Sequence, residues 1–304
     1  RGGFTVQTGI DIEKVSYDAD SYIWLATGND GSQFKSRAVV MAIGTCRIPV
    51  IPEWEGRETF PGEIVHSSTF KRAQDYAGKH VLVIGSGNSA AEITSRLTEY
   101  ASSVTISIRT PPHLLPKSVY GIPIVGIGIW LRYLPNNLVD MLLSFMQRRM
   151  IGDLTAYGLP FPPMSLTKQY AINNVVPILY GPFVDDIRAG RIKIVGSIQK
   201  ISGPTVHALR AVGITQDDDS TTIALEPDVI VAGTGFRTGI SELVQIPNIT
   251  DEKGRSKISG DQELEEAPRL YFIGQINPLS GQLREIRVEA GKIARKIRKQ
   301  LRMK

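Results

Sequence analysis

The periodicity of apolar positions changes several times along this chain, and the changes divide it. Residues 4–43 alternate at strand period. Phe4, Val6 and Thr8 alternate, Tyr22–Ala26 is a second β-rich run, and Asn29-Asp30-Gly31 marks a turn before Phe34. Arg37–Ile43 reads as a buried strand closed by Gly44-Thr45, and an irregular connection through Pro49, Pro52, Trp54 and Gly56 follows. The sharpest signal is the unbroken run Val81-Leu82-Val83-Ile84, whose length and β-branched content suit a buried parallel strand. A glycine-rich turn comes directly after it, then a helical pattern through Ile93 and Leu97. Val104–Ile108, Ile192–Val195, Asp228–Ala232 and Leu270–Ile273 are further core strands. Strands alternating with helices predict an α/β fold with a parallel sheet.

Other stretches are harder to read. Residues 122–146 are the most apolar, but the uncharged run Val119–Leu131 is shorter than the roughly 20 residues of a spanning helix. Arg132, Pro135, Asn136, Asn137 and Asp140 then interrupt it, so a buried helical hairpin or a substrate-channel wall is expected rather than a membrane anchor. The helix itself is predicted over Asn136–Met150, with Asn136-Asn137 at its N-cap. Residues 152–182 look irregular, with Pro160, Pro162, Pro163 and Pro177; a loop of that length carries function or conceals an element. Phe183–Ala189 reads as a short helix. The last helix sets Ala290, Ile293, Ala294, Ile297 and Leu301 against Lys292, Arg295, Lys296, Arg298, Lys299 and Arg302, a solvated cationic face.

Composition narrows the classes. At 304 residues the chain accommodates two domains, and 35 basic against 30 acidic side chains leave a net charge of +5. That balance suits a polyphosphate ligand. No basic stripe with interleaved aromatics points to nucleic acid. Cys46 is the single cysteine, which excludes an intrachain disulfide framework or thiol-pair redox centre and is compatible with a reducing, cytoplasmic setting. No signal-peptide pattern opens the chain, and the lack of an initiator Met makes Arg1 look internal to a longer sequence. No Ser/His/Asp or Cys/His arrangement and no metal-spaced His/Cys cluster stands out.

The turn Gly85-Ser86-Gly87-Asn88-Ser89-Ala90 has the strand before it and the helix after it that a dinucleotide site needs. Gly85 permits the tight turn, Gly87 lets backbone approach a pyrophosphate, and Ala90 allows helix to pack close to strand. The phosphates of that site lie at the helix N-terminus. Arg109-Thr110 ends the next strand. An acidic residue there serves the ribose hydroxyl of NAD, whereas an arginine accommodates the 2′-phosphate of NADP. We therefore expect NADPH on Gly85, Gly87, Asn88, Ser89, Ala90, Arg109 and Thr110; the plainer alternative is a glycine turn with a solvated arginine.

Phe60-x-Gly62-x-x-x-His66-x-x-x-Phe70 resembles the identifying motif of flavin-containing monooxygenases, F-x-G-x-x-x-H-x-x-x-F/W/Y, and it stands just upstream of the glycine turn as in that family. Ala42-Ile43-Gly44-Thr45 and Ala232-Gly233-Thr234-Gly235-Phe236 look like the family's two linkers, departing from A-T-G at Ile43 and by the inserted Gly233. Tyr271-Phe272-Ile273-Gly274, Asn277-Pro278 and Gly281-x-Leu283 resemble its C-terminal flavin-contacting segment. The middle is closest to the YUCCA-type branch and its bacterial relatives, through Leu131-x-x-Leu134-Pro135, Gly152-Asp153, Tyr157-Gly158-Leu159, Pro177-Ile178-Leu179 and Ile187–Lys193 in the same order.

The resemblance implies an NADPH- and FAD-dependent monooxygenase, in which a C4a-hydroperoxyflavin transfers one oxygen atom from O₂ to a small organic substrate. The transfer is N- or S-oxygenation, or oxidative decarboxylation of an indole-3-pyruvate-like keto acid. It implies a Rossmann-like NADP-binding domain (76–236) inserted between parts of an incomplete FAD-binding domain with a β-meander (1–75 and 237–304). It places Thr45 and Thr234 between the cofactors, Gly274, Gln275 and Leu283 along the flavin, and Asn277 as an active-site polar group; an Asn-Pro turn is the alternative for Asn277. His66 orients the linker or approaches the nicotinamide, with a hydrogen-bonded structural histidine as the favoured alternative. The family's first G-x-G-x-x-G, for the FAD pyrophosphate, has no counterpart here, so the chain is expected to be the C-terminal two-thirds of a longer protein. No stable membrane insertion is expected, and a homo-oligomer is open. The rival expectation is an NADP-binding pseudoenzyme without catalytic flavin.

Overall fold

The antiparallel run near the start folds as a three-stranded meander of β1 (Ile12–Asp18), β2 (Ile23–Gly28) and β3 (Gln33–Ser36), in a computed structural model that describes residues 4–173, 175–211, 221–276, 278 and 280–302. Alternation puts Val15 and Trp24 on the inner face, where the Trp24 indole N–H donates to the Pro268 carbonyl at 2.9 Å. Phe4 and Val6 take no part in a strand and are 85% and 68% exposed, because alternation without a partner strand satisfies no backbone group. After the meander, β4 (Val39–Met41) is shorter than the expected strand over 37–43; Met41 is buried and Val40 is not.

The second stretch of chain builds a five-stranded sheet. Its strands are β5 (Glu63–His66), β6 (His80–Ile84), β7 (Ser103–Ser107), β10 (Ile192–Val195) and β14 (Val229–Ala232), in the order β10-β7-β6-β14-β5, and every pairing is parallel. Helices α1 (Asn88–Leu97) and α5 (Pro182–Arg188) cover one face; the meander β11 (Ile198–Ser202), β12 (Thr205–Leu209), β13 (Thr222–Leu225) covers the other. The period of two divides β6 between them. Val81 and Val83 pack under Ile93, Leu97 and Ile187, while Leu82 and Ile84 meet Ile201, Val206 and Ile230. Burying each such side chain is worth about 1.5–3 kcal/mol, so the strand feeding the glycine turn is anchored on both sides.

Between β7 and α5 the chain forms β8 (Leu114–Pro116), α2 (Ile124–Leu131), α3 (Asn136–Met150), α4 (Leu166–Asn173) and β9 (Ile178–Tyr180). The segment read as irregular thus holds a helix and a strand, β9 lying parallel to β8 with Ile178 opposite Leu114. Helix α3 has the expected extent, but its N-cap is Pro135 and no side chain caps it. Helices α2 and α3 follow each other in the chain, and neither is enclosed on all sides. Only Ile124 and Gly128 of α2 and Val139, Leu143 and Gln147 of α3 face inward, whereas Trp130, Tyr133 and Phe145 are 76%, 72% and 69% exposed. No helix among the described residues is long and apolar enough to cross a membrane.

The last segment returns to the first. Strand β15 (Leu270–Phe272) pairs parallel with β4, and α6 (Gln282–Arg302) follows, burying Ile293. Contacts divide the chain into Pro49–Gly235 and a second unit of Arg1–Ile48 with Phe236–Lys304, each with its own core. The first boundary differs from the expected 75/76, because β5 pairs with β14 and thereby carries residues 49–75 into the five-stranded unit.

Candidate functional site

The glycine turn sits where β6 ends and α1 begins, at the carboxyl edge of the parallel sheet. Gly85 has φ of 148°, and a Cβ there would lie 2.2 Å from the Gly233 carbonyl oxygen. A Cβ on Gly233 would in turn come within 2.8 Å of the Ala90 methyl. Gly85, Ala90 and Gly233 are therefore small because helix and strands meet there. Gly87 is different. Its φ of −104° suits any residue, and a Cβ added to it meets no atom within 4 Å. The chain's own packing gives no reason for this glycine; the open side is available to a ligand. Gly87 is also the N-cap of α1, and no side chain caps the first turn, which leaves its N–H groups for an anion.

Asn88 behaves differently from its assignment to the pyrophosphate. Its side-chain amide donates to the Pro177 carbonyl at 3.0 Å, and its Oδ1 accepts the Leu179 N–H at 2.9 Å. The side chain pins β9 beside the turn, which leaves its second amide N–H and the Asn88 backbone N–H for a phosphate. Pro177 and Leu179 are neighbours of the site that sequence reasoning missed; apart from the Pro177-Ile178-Leu179 run nothing marked them. Ser89 is exposed. Arg109 and Thr110 are exposed too, just beyond β7, which the turn touches directly through the Gly85 N–H on the Ser107 carbonyl at 3.0 Å.

Each fixed position of the eleven-residue motif now has a physical reason. Phe60 is buried under the sheet, and a Cβ on Gly62 would lie 2.3 Å from the Asp228 carbonyl oxygen. Phe70 stacks on Tyr76 with ring centroids 5.3 Å apart. His66, 4% exposed, directs Nε2 at the Gly235 carbonyl at 2.9 Å. A carbonyl only accepts, so Nε2 carries the proton, and Nδ1 accepts from the Ser68 N–H at 3.1 Å. The Thr234 hydroxyl donates to the Val50 carbonyl. Linker 233–235 is thus clamped from two sides, and both His66 nitrogens are engaged within the chain.

The other unit brings together a second group. Parallel β4 and β15 end side by side, joined by the Ile273 N–H on the Met41 carbonyl at 3.0 Å. Beyond their ends lie Gly44 and Gly274, with φ of 65° and 73°, and the Gln275 amide donates to the Gly44 carbonyl at 3.3 Å. The Thr45 hydroxyl lies 3.8 Å from Cys46 Sγ. Glu289 accepts the Gly274 N–H at 2.9 Å, which ties the strand end to α6. Leu283, in the first turn of α6, is 83% exposed. Asn277 lies outside the described residues. Behind the group, burial and the adjacent Glu263 carboxylate both raise the Tyr271 phenol above its ordinary range.

A family profile described as pyridine nucleotide-disulphide oxidoreductase matches residues 2–120. The chain is 27% identical over 274 residues to the indole-3-pyruvate monooxygenase YUCCA1 of Oryza sativa subsp. japonica, covering 90% of this chain and 65% of that protein. It is 30% identical over 259 residues to the indole-3-pyruvate monooxygenase YUCCA8 of Oryza sativa subsp. indica, covering 82% and 59%. This chain belongs to the flavin-containing monooxygenase family. Solved structures agree on the fold. The flavin-containing monooxygenase from Stenotrophomonas maltophilia matches with a TM-score of 0.61 at 21% identity, over 95% of this chain and 71% of its own. Cyclohexanone monooxygenase from Rhodococcus sp. Phi1 bound to NADP⁺ gives 0.64 at 18%, over 95% and 66%. The family member described here spans just under two-thirds of the length of the rice proteins it matches.

Proposed function

We propose that this chain serves an NADPH- and FAD-dependent monooxygenase that places one oxygen atom of O₂ into a small organic substrate. The observation that carries the reading is Gly87, whose missing side chain nothing in the protein explains and whose open side faces the uncapped start of α1. A dinucleotide pyrophosphate fits that space. The N–H groups of Gly87, Asn88, Ser89 and Ala90 would hold it, and Arg109 with Thr110 would take the 2′-phosphate. For the flavin, the chain offers Thr45, Gly274, Gln275 and Leu283, and the family resemblance adds Asn277 as the active-site polar group. NADPH supplies a hydride and the flavin couples it to O₂. The protein's part is placement: Asn88 and His66 hold the walls of the nucleotide site, and no proton-transfer group is required of them. By likeness to the rice proteins, the substrate class is an indole-3-pyruvate-like keto acid undergoing oxidative decarboxylation; N- or S-oxygenation is the other option.

The test is a visible spectrum of the purified chain with FAD, followed by anaerobic NADPH and then air. Flavin that is retained, bleaches and reoxidises supports the reading. Tight NADPH binding with no retained flavin would keep the nucleotide site and remove flavin binding from these residues.

A further inference from the structure

The α2–α3 segment departs from how surface helices are built. Helix α2, Ile-Val-Gly-Ile-Gly-Ile-Trp-Leu, is apolar all round, yet only Ile124 and Gly128 are buried. A helix of that composition is normally enclosed by protein or by lipid. In α3 the inner stripe is Val139, Leu143 and Gln147, and Asp140 faces α4, where it accepts from the Thr167 hydroxyl at 2.5 Å and the Thr167 N–H at 2.9 Å. The face left over should be polar. Instead Leu142 and Phe145, 41% and 69% exposed, follow Leu138 at i+4 and i+7, with Met141 beside them. Tyr120 at the preceding turn is fully exposed, and Trp130 and Tyr133 between the two helices are largely exposed. Each of these four aromatic rings stands more than two-thirds in solvent, more ring surface than one segment ordinarily leaves to water.

Charge selects the occupant. From Lys117 to Met150 the chain carries four cations, Lys117, Arg132, Arg148 and Arg149, and one acid, Asp140, which is turned toward α4. The outward stripe of α3 runs on into Arg149, i+4 from Phe145, with Arg148 beside it. A second copy laid on this face about a two-fold axis would set cations against cations. An anionic bilayer surface complements both features: apolar and aromatic side chains enter the headgroup–acyl boundary, and arginines meet phosphates. We propose that the α2–α3 segment is a membrane-adsorbing element selective for anionic lipid, lying on the bilayer without spanning it. This inference stands independently of the cofactor reading.

The test is flotation of the 304-residue chain with phosphatidylcholine vesicles, with and without phosphatidylglycerol. The chain should float with the anionic vesicles and much less with the neutral ones. Arg148→Gln/Arg149→Gln should weaken binding about thirty-fold, two cations' worth at the surface. Trp130→Ser/Phe145→Ser should abolish it while circular dichroism and thermal midpoint stay as in the parent, since both side chains are exposed. Arg298→Gln/Lys299→Gln on α6 should change nothing. The proposal fails if the chain floats with neither vesicle, if Trp130→Ser/Phe145→Ser floats like the parent, or if the α6 variant alone loses binding. It also fails if the α2–α3 residues drive self-association without vesicle binding.

Discussion

Gly85 and Gly87 stand two residues apart in one turn and are glycine for separate reasons, which makes them separable by experiment. Gly85→Ala forces a methyl onto the Gly233 carbonyl in a left-handed conformation, and should cost about 3 kcal/mol or more of stability. Gly87→Val meets open space and should cost the fold no more than about 1 kcal/mol, the value of a good N-cap residue. Its nucleotide affinity should nevertheless fall on the order of a hundredfold, since the side chain fills the phosphate's place. Thermal melts beside NADP⁺ titrations decide the matter; unchanged affinity in Gly87→Val would remove the site from this turn. Arg109→Ala should weaken NADPH at least about tenfold and leave NADH nearly unchanged, the signature of a charge-assisted contact to the 2′-phosphate. Equal losses for the two cofactors would end that assignment.

At the level of elements, α6 is tied to β15 by Glu289 on the Gly274 N–H and by a second carboxylate, Glu263. Glu263 accepts the Arg269 N–H at 2.7 Å, the Tyr271 hydroxyl at 2.8 Å, the Gln300 amide at 3.0 Å and Lys296 at 2.7 Å. Burial by itself raises its pKa, but these donors, Lys296, Tyr271 and Gln300 foremost, outweigh burial and lower it below its usual 4.5. A depressed acid contributes stability that is complete above its unfolded value and is lost as pH falls through the folded one. Glu263→Ala should therefore cost about 2 kcal/mol at neutral pH. The gap from the parent should close as pH falls below 4.5, with urea midpoints across that range as the measurement. A gap independent of pH would mean that the carboxylate charge is not what holds α6. Strand β6 was legible beforehand as an unbroken apolar run ending in a glycine turn, and α3 as a long helical pattern that begins after Pro135. Strand β9 and helix α4 were not. A three-residue strand has no period to detect, and its partner β8 lies more than sixty residues earlier.

In the whole molecule, Pro49–Gly235 and the unit of 1–48 with 236–304 have separate cores, and the proposed pyrophosphate site belongs wholly to the first. Calorimetry should show two transitions. NADP⁺ at a hundred times its Kd should move only one of them, by about 2.7 kcal/mol. If both transitions shift together, the nucleotide is engaging both units. The sequence motif just upstream of the glycine turn also changes meaning at this scale. Phe60, Gly62, His66 and Phe70 each serve packing or hydrogen bonding within Pro49–Gly235, so the motif marks how a strand, a linker and a sheet fit together.

By itself the sequence determined the features that local rules dictate. An uninterrupted apolar run must be covered on both faces, so β6 and β14 were core strands; Gly-x-Gly-x-x-Ala between strand and helix was a turn that could admit phosphate. Only the tertiary structure decided matters that depend on distant partners. It gave the Asn88 amide to Pro177 and Leu179, gave both His66 nitrogens to Ser68 and Gly235, and moved the first boundary from 75 to 48 by pairing β5 with β14. It also left apolar side chains of α2 and α3 exposed, because hydrophobicity along a chain records what must be covered, and the fold alone records what covers it.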